Sequence, residues 1–255
     1  MTTLGHIVSP ANACWVLRED PELAEAIEPA RRSQAIDALV AREVRIPTGM
    51  WTGRPIPIDE GIGVLVLEGV MLHRVGINGR FGAELVGEGD VLRAVHQDLD
   101  DATLPLTDEW LILEPSRVAV LDERFVRQLA RFPQVGGRLF GRSVLRSRQL
   151  AVNMAIVHQA RVDVRLHLLF WQLAGRWGRV RSDGVVLPLR LTHIVLADLV
   201  AARRPTVTSA LSDLSRRGLV RAINEGWLLS GPPPGRGSRP PARQADALER
   251  DPSRL

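Results

Sequence analysis

From Thr192 to Gly231 the chain reads THIVLADLVAARRPTVTSALSDLSRRGLVRAINEGWLLSG, and the spacing of its apolar residues permits few folds. Thr192 stands where an N-cap belongs, its hydroxyl placed to accept from a backbone N–H of the first turn. Ile194, Leu196, Ala197, Leu199 and Val200 then recur at helical intervals. Val195 takes the position where a capping box would have Glu or Gln, so the cap is a simple one. The run stops at Ala201-Ala202 and a second helix begins near Pro205, whose missing N–H costs nothing at a first helical position. Val207, Ala210, Leu211 and Leu214 form its inward stripe, and Thr206, Thr208, Ser209, Ser212 and Arg216 fill the other face. Arg204 stands at the tip with Arg203 before it, and Gly218 ends the helix as a C′ residue. The following LVRAINEGWLLSG reads as strand, turn at Asn224-Glu225-Gly226, strand. Helix, helix, hairpin is the order of a winged helix, whose second helix is slim enough on its outer side to enter a major groove.

Charge supports the same expectation. There is no lysine, so all 33 basic residues are arginine. Residues 1–130 hold 12 Arg against 21 Asp and Glu, net −9, whereas residues 131–255 hold 21 Arg against 8, net +13. A basic module attracts a polyanion by neutralising phosphates and releasing counterions; an acidic one does not. Two modules with different partners are expected.

The acidic half has its own texture. Residues 20–45 read as a helical lead-in interrupted at Pro29, with Ala35, Ile36, Leu39 and Val40 at helical spacing. From Gly61 short β-branched runs alternate with glycines, and Gly76-Ile77-Asn78-Gly79 fits a hairpin because Asn and Gly tolerate positive φ. Further strands are expected at Trp110–Glu114 and Arg117–Leu121, so residues 45–121 should form an all-β sandwich or roll. Asp122 is placed to cap a short helix through Arg131, ended by Pro133. A long helix is expected over about 135–160, with Leu150, Met154 and Val157 on one stripe, and a second helix, apolar on much of its circumference, over Val162–Trp177 that stops at Gly178. The last 25 residues, rich in proline and arginine, carry too little apolar surface to offset ordering entropy and are expected to be disordered.

LTHIVLADLVAARRPTVTSALSDLSRRGLV resembles the helix-turn-helix of the Crp/Fnr family of bacterial transcriptional regulators, through Leu191, Thr192, His193, Leu196, Ala197, Arg204, Thr206, Val207, Thr208, Leu211, Leu214, Gly218 and Leu219. The resemblance is strong over about 186–230 and weaker over 61–95 and 117–178. It implies an α+β chain with a cyclic-nucleotide-binding-like, jelly-roll-like β-roll sensor domain over 1–134, its helical lead-in included. A dimerisation helix over 135–160, a winged helix-turn-helix domain over 161–230 and a disordered tail over 231–255 complete the expected order. It implies a homodimer held by Leu150, Met154 and Val157 on a palindromic operator in double-stranded DNA, with RNA polymerase as a further candidate partner. Arg204 matches an arginine that reads guanine, and Thr192, His193, Thr206 and Thr208 are candidates for phosphate contacts. Ser209, Ser212, Arg216 and Arg203 complete the expected DNA-facing set. Pro205 and Ser209 depart from the family's usual glutamate and second arginine, so a different operator is expected.

The family's cyclic-nucleotide cassette is degenerate here. Leu67-Glu68-Gly69 and Gly87-Glu88-Gly89-Asp90-Val91 keep the scaffold, but Leu92-Arg93-Ala94-Val95-His96 replaces Phe-Gly-Glu. Asp98, Asp100, Asp101, Asp108 and Glu109 would repel a cyclic phosphate, so no cAMP response by the usual route is expected. Cys14 is the only cysteine, which excludes an internal disulfide or a four-cysteine cluster within the chain. No cofactor, metal site or catalytic residue is expected: no P-loop, Gly-x-Ser-x-Gly or His-Glu-x-x-His motif occurs, and His73, His158 and His167 lack obvious partners. The start MTTLGHIVSPANAC has neither the basic opening nor the apolar run of a signal peptide, and no stretch is apolar enough for a membrane span, so a cytoplasmic protein is expected by default. The alternative is a ligand- or protein-binding sensor whose winged helix is a protein-interaction surface.

Overall fold

The computed structural model describes residues 13–51, 61–92 and 104–234. The chain divides into two compact units, residues 1–159 with 192–204 and residues 160–191 with 205–255.

In the first unit, strand β1 (Ala13–Trp15) leads into helices α1 (Val16–Glu19), α2 (Pro21–Glu25) and α3 (Pro29–Ala38). Strands β2 (Val40–Ile46), β3 (Gly49–Met50), β4 (Gly63–Glu68), β5 (Val70–Ile77), β6 (Arg80–Gly87), β7 (Val91–Leu92), β8 (Leu106–Ile112) and β9 (Ser116–Leu121) follow. They build a five-stranded sheet of order β1-β2-β9-β4-β7 and a four-stranded sheet of order β3-β8-β5-β6, antiparallel throughout. Period-two alternation explains why β4 is apolar at nearly every position. Val64 and Val66 point into one core with Met71, Val86, Trp110, Ile112, Val118 and Val120, while Leu65 and Leu67 point into another. That second core takes Leu17, Leu23 and Leu39 from the lead-in and Phe125, Val135 and Leu139 from the helices that follow the roll. A sheet covered on both faces keeps no polar side. The β5–β6 turn is the one expected: Asn78 and Gly79 have φ of 52° and 73°, matching the twist of the flanking strands.

Helix α4 (Glu123–Leu129) is capped by Asp122, whose carboxylate accepts from the Phe125 N–H at 3.0 Å. Helix α5 (Pro133–Val157) runs for 25 residues. The breaks expected at Pro29 and Pro133 are present: α2 ends at Glu25 and α4 at Leu129, and each proline sits in the first turn of the helix that follows, where it has no hydrogen bond to break. Val40, expected on a helical stripe, lies in β2 because the backbone turns extended at Leu39.

The second unit contains helix α6 (Val162–Trp177), with the expected bounds, and strands β10 (Arg179–Arg181) and β11 (Gly184–Leu187). Helix α7 (His193–Leu199), which belongs to the first unit, precedes helix α8 (Arg204–Arg216) and strands β12 (Val220–Ile223) and β13 (Gly226–Leu229). The wing pair β12–β13 is part of a four-stranded sheet of order β10-β11-β13-β12, so a second hairpin that the sequence reading passed over completes it. Gly226 allows the close approach: at φ 141°, a Cβ there would run into the Leu187 carbonyl oxygen. Residues 235–255, most of the tail expected to be disordered, lie outside the described residues.

Candidate nucleic-acid interface

Helix α8 buries one stripe and exposes the rest. Val207, Leu211 and Leu214 are buried, whereas Pro205, Thr206, Thr208, Ser209, Ser212 and Arg216 are exposed, and so are Arg203 and Arg204 at its start. Pro205, Ser209, Ser212 and Arg216 recur at intervals of four, three and four, which lines them up along the crest opposite the buried stripe. The Ser209 hydroxyl donates to the Pro205 carbonyl at 3.2 Å and the Ser212 hydroxyl to Thr208 at 3.0 Å. Both side chains therefore lie close to the helix, and the crest is low and uncharged until Arg216. A guanidinium at each end of a thin polar crest leaves room for a nucleic-acid groove and anchors both ends to phosphate or base edges.

Two adjacent arginines at the helix end part company. Arg216 donates to Asp213 at 2.9 Å with its side chain 78% exposed. Arg217 instead donates at 3.2 Å to Asp163 on α6, which also takes two hydrogen bonds from Arg161. The Arg161 hydrogen bonds hold Asp163 below the usual carboxylate range. Arg217 is a brace within its unit and Arg216 is its outward charge. The wing sheet adds exposed Arg179, Arg181 and Arg221, which the sequence reading missed. The available signal was the Asp183-Gly184 turn in VRSDGVVL, with β-branched residues on either side.

The remaining expected DNA-facing residues flank α7. Thr192 is exposed and caps α7, accepting from the Val195 N–H at 3.3 Å, and His193 beside it is half-buried. Ala201, in the turn that leads to α8, has φ of 49°.

On α5, Leu150 and Met154 are 36% and 62% exposed and Val157 is half-buried; all three line a cavity of about 430 Å³ shared with His73, Glu84 and Arg146. A different line of the same helix is more open: Phe140 and Val144 are 71% and 51% exposed. Gly137, Phe140, Val144, Ser147, Ala151 and Met154 are spaced at the alternating threes and fours of a coiled-coil seam. Two inward arginines hold α5 to the acidic roll. Arg142 donates to Asp20 at 3.0 Å and to Glu22 at 2.9 Å, and one turn later Arg146 binds Glu84.

His73 has partners after all. Its Nδ1 lies 3.0 Å from Glu84 and its Nε2 2.6 Å from Asp108, with the ring stacked on Trp110. The Asn78-Gly79 turn sets the register that puts Glu84 opposite His73, so half of this cluster was legible in the sequence. Asp108 and Arg146 were not.

Arg93, His96, Asp98, Asp100 and Asp101, on which the degenerate cyclic-nucleotide cassette rests, lie outside the described residues. Among the described residues no group of histidine, cysteine and carboxylate side chains could hold a metal, and no helix is long and apolar enough to cross a membrane. Burial pushes the Cys14 thiol up to about 11, away from reactive thiolate chemistry.

A family model for the Crp-like helix-turn-helix domain matches residues 164–229. The CRP-like cAMP-activated global transcriptional regulator of Mycobacterium tuberculosis is 28% identical over 127 residues, which is 49% of this chain and 57% of that protein. The chain thus matches little more than half the length of that relative. Among solved structures, a variant of CooA from Carboxydothermus hydrogenoformans superposes with a TM-score of 0.60 at 16% identity, over 88% of this chain and 94% of its own. The c-di-GMP-responsive global regulator CLP of Xanthomonas campestris gives 0.53 at 18% identity, over 84% and 100%. At such identities the likeness is one of fold. Residues 164–229 thus match the Crp-like helix-turn-helix domain in sequence, and the fold of the chain is similar to those of CooA and CLP.

Proposed function

We propose that the chain acts as a homodimer that sets one α8 helix in each of two successive major grooves of a palindromic operator, and that cAMP does not switch it by the usual route. The observation that carries this reading is the exposed crest of α8, Pro205-Ser209-Ser212-Arg216, with Arg203 and Arg204 at its tip. In this reading Arg204 reads a guanine, while Thr192, His193, Thr206 and Thr208 meet phosphates and fix register. Ser209, where many family members have an arginine, lowers the readout per half-site, so Arg203 and Arg216 carry more of the affinity through phosphate. Arg179, Arg181 and Arg221 add to that sequence-independent attraction.

Dimerisation is supported by exposed Phe140, Val144 and Met154 on one long helix, a line too apolar to face water without cost. Met154 lies both on that seam and on the expected stripe, whereas Leu150 and Val157 flank it on the cavity side. The absence of cAMP control is supported by the acids of residues 96–101 where a cyclic phosphate would need arginine. RNA polymerase is the further partner this reading implies.

The test is binding of the full chain to duplexes selected from a random pool, followed by anisotropy as salt rises. A palindromic consensus with half-sites about 34–36 Å apart and a steep fall of affinity with salt is expected. Phe140→Glu with Val144→Glu should yield monomers in sedimentation and lose the operator. A protein that stays monomeric and ignores duplex DNA at low ionic strength overturns the proposal.

A further inference from the structure

Four charged groups from four elements meet where α5 lies on the roll. His73 (β5) faces Glu84 (β6) directly across the hairpin and Trp110 (β8) directly across the other strand, so all three share one face of the sheet. Asp108 (β8) approaches the far ring nitrogen with its carboxylate only 4% exposed, and His73 itself is 13% exposed. Arg146 (α5) closes the chain, its Nε donating to Glu84 at 3.2 Å and its Nη2 to the other carboxylate oxygen.

Carboxylates only accept hydrogen bonds, and a neutral imidazole has one N–H to give. Contacts at 3.0 and 2.6 Å on both nitrogens are both hydrogen bonds only when the ring is imidazolium. Charge counting agrees. With His73 protonated the quartet is neutral; without that proton it carries a net negative charge in a largely buried place. Burial by itself pushes His73 down, but the hydrogen bonds and charges of Asp108 and Glu84 override it and leave the ring above its ordinary 6.5. Burial pushes Glu84 up, and His73 and Arg146 together pull it below its ordinary value. One further charged group lines the same cavity, Asp198 of α7, and it lies 3.4 Å from the Arg74 guanidinium of β5, which also pairs with Glu109 of β8.

The geometry points to a pH-sensitive clamp: His73, Asp108, Glu84 and Arg146 fix α5 to the β-roll when His73 is protonated and release it as His73 loses its proton. A group whose folded value is raised gives stability that is complete below its unfolded value and is lost as pH rises through the folded one. The clamp is therefore closed under acidic and near-neutral conditions and opens toward alkaline pH. Loss of the proton leaves the single remaining N–H to one carboxylate, so Glu84 and Asp108 no longer share one cation, and Arg146 alone holds the helix there. Under the dimeric reading above, the clamp steadies the dimer helix from inside the chain.

The test uses the free full-length chain, so it does not depend on DNA binding. Imidazole NMR of selectively labelled histidine follows His73, and amide hydrogen exchange, corrected for intrinsic rates, follows residues 142–157 from pH 6 to 9.5. His73 should titrate above 6.5, and α5 protection should fall about tenfold for each unit by which its folded value is raised. Asp108→Asn should bring the titration and the loss of protection together to lower pH, and His73→Gln should make α5 protection flat across the range. Should His73→Gln prove unstable, Arg146→Gln gives the same decision: removing a neighbouring cation must raise the His73 titration. A wild-type His73 titrating at or below 6.5, or an α5 protection that follows the same pH course in the variants as in wild type, would overturn the clamp.

Discussion

The two units use the same side chain in opposite ways. In the roll, arginine is a crosslink. Arg117 donates to Glu43 at 2.8 and 3.1 Å and lies 3.0 Å from Glu19, Arg142 joins Asp20 to Glu22, and Arg146 takes Glu84. In the second unit Arg179, Arg181, Arg216 and Arg221 are exposed, while Asp163 takes both Arg161 and Arg217. Both units need guanidinium, because it binds two carboxylate oxygens at once or two acceptors on a base or phosphate. What separates the roles is the local supply of acid. An arginine surrounded by carboxylates is neutralised and gives stability; one without them projects its field outward.

Substitution breaks this contrast most sharply in the roll. Arg117→Met leaves Glu43, with a side chain 11% exposed, facing Glu19 with only the exposed Arg45 as its cation. A loss of about 2–3 kcal/mol in urea denaturation is expected, discounted from a fully buried pair because Arg117 is 27% exposed, with no change in salt-dependent DNA affinity per folded molecule. Arg204→Ala should do the reverse. Specific operator binding should fall by about 1–3 kcal/mol, more than binding to random duplex, while stability stays within about 0.5 kcal/mol. Equal losses on operator and random DNA would show that Arg204 supplies charge alone.

Caps give a smaller effect. Asp122→Ala removes the acceptor of the Phe125 N–H and should cost about 1 kcal/mol by urea melt; Thr192→Ala, whose contact is longer at 3.3 Å, should cost less. Acid titration sharpens the comparison last. The Arg117 hydrogen bond pulls Glu43 down to about 2. A depressed carboxylate stabilises above its unfolded value of 4.5 and loses that contribution as pH falls toward 2. The roll should weaken over that window, and Arg117→Met should flatten the slope.

Local chemistry made much of the fold legible. Asp122, Thr192 and Gly218 end their helices where their side chains or φ freedom say they should, and α6 has the bounds its apolar run implies. The β5–β6 turn follows from Asn78-Gly79 alone. Pro29 and Pro133 mark helix boundaries because one proline both forbids a helix before it and favours one after it. The strands β10 and β11 were missed because three- and four-residue strands carry almost no period of their own; β10 is held by pairing with β11, and β11 with β13.

The candidate interface was mostly a matter of one helix, so its exposed crest follows from the spacing of Val207, Leu211 and Leu214. The His73 cluster is the contrary case. Its members are 73, 84, 108 and 146 in the chain, and only the first pair is tied by a short turn.

The amino-acid order by itself determined most of the elements, their caps, the hairpin register and the polar face of α8, because each depends on contacts within a few residues. Which face of α5 meets the roll, and which arginines are spent on carboxylates, were decided by the tertiary structure, because those energies depend on charges and apolar surfaces brought together from sixty to over a hundred positions apart.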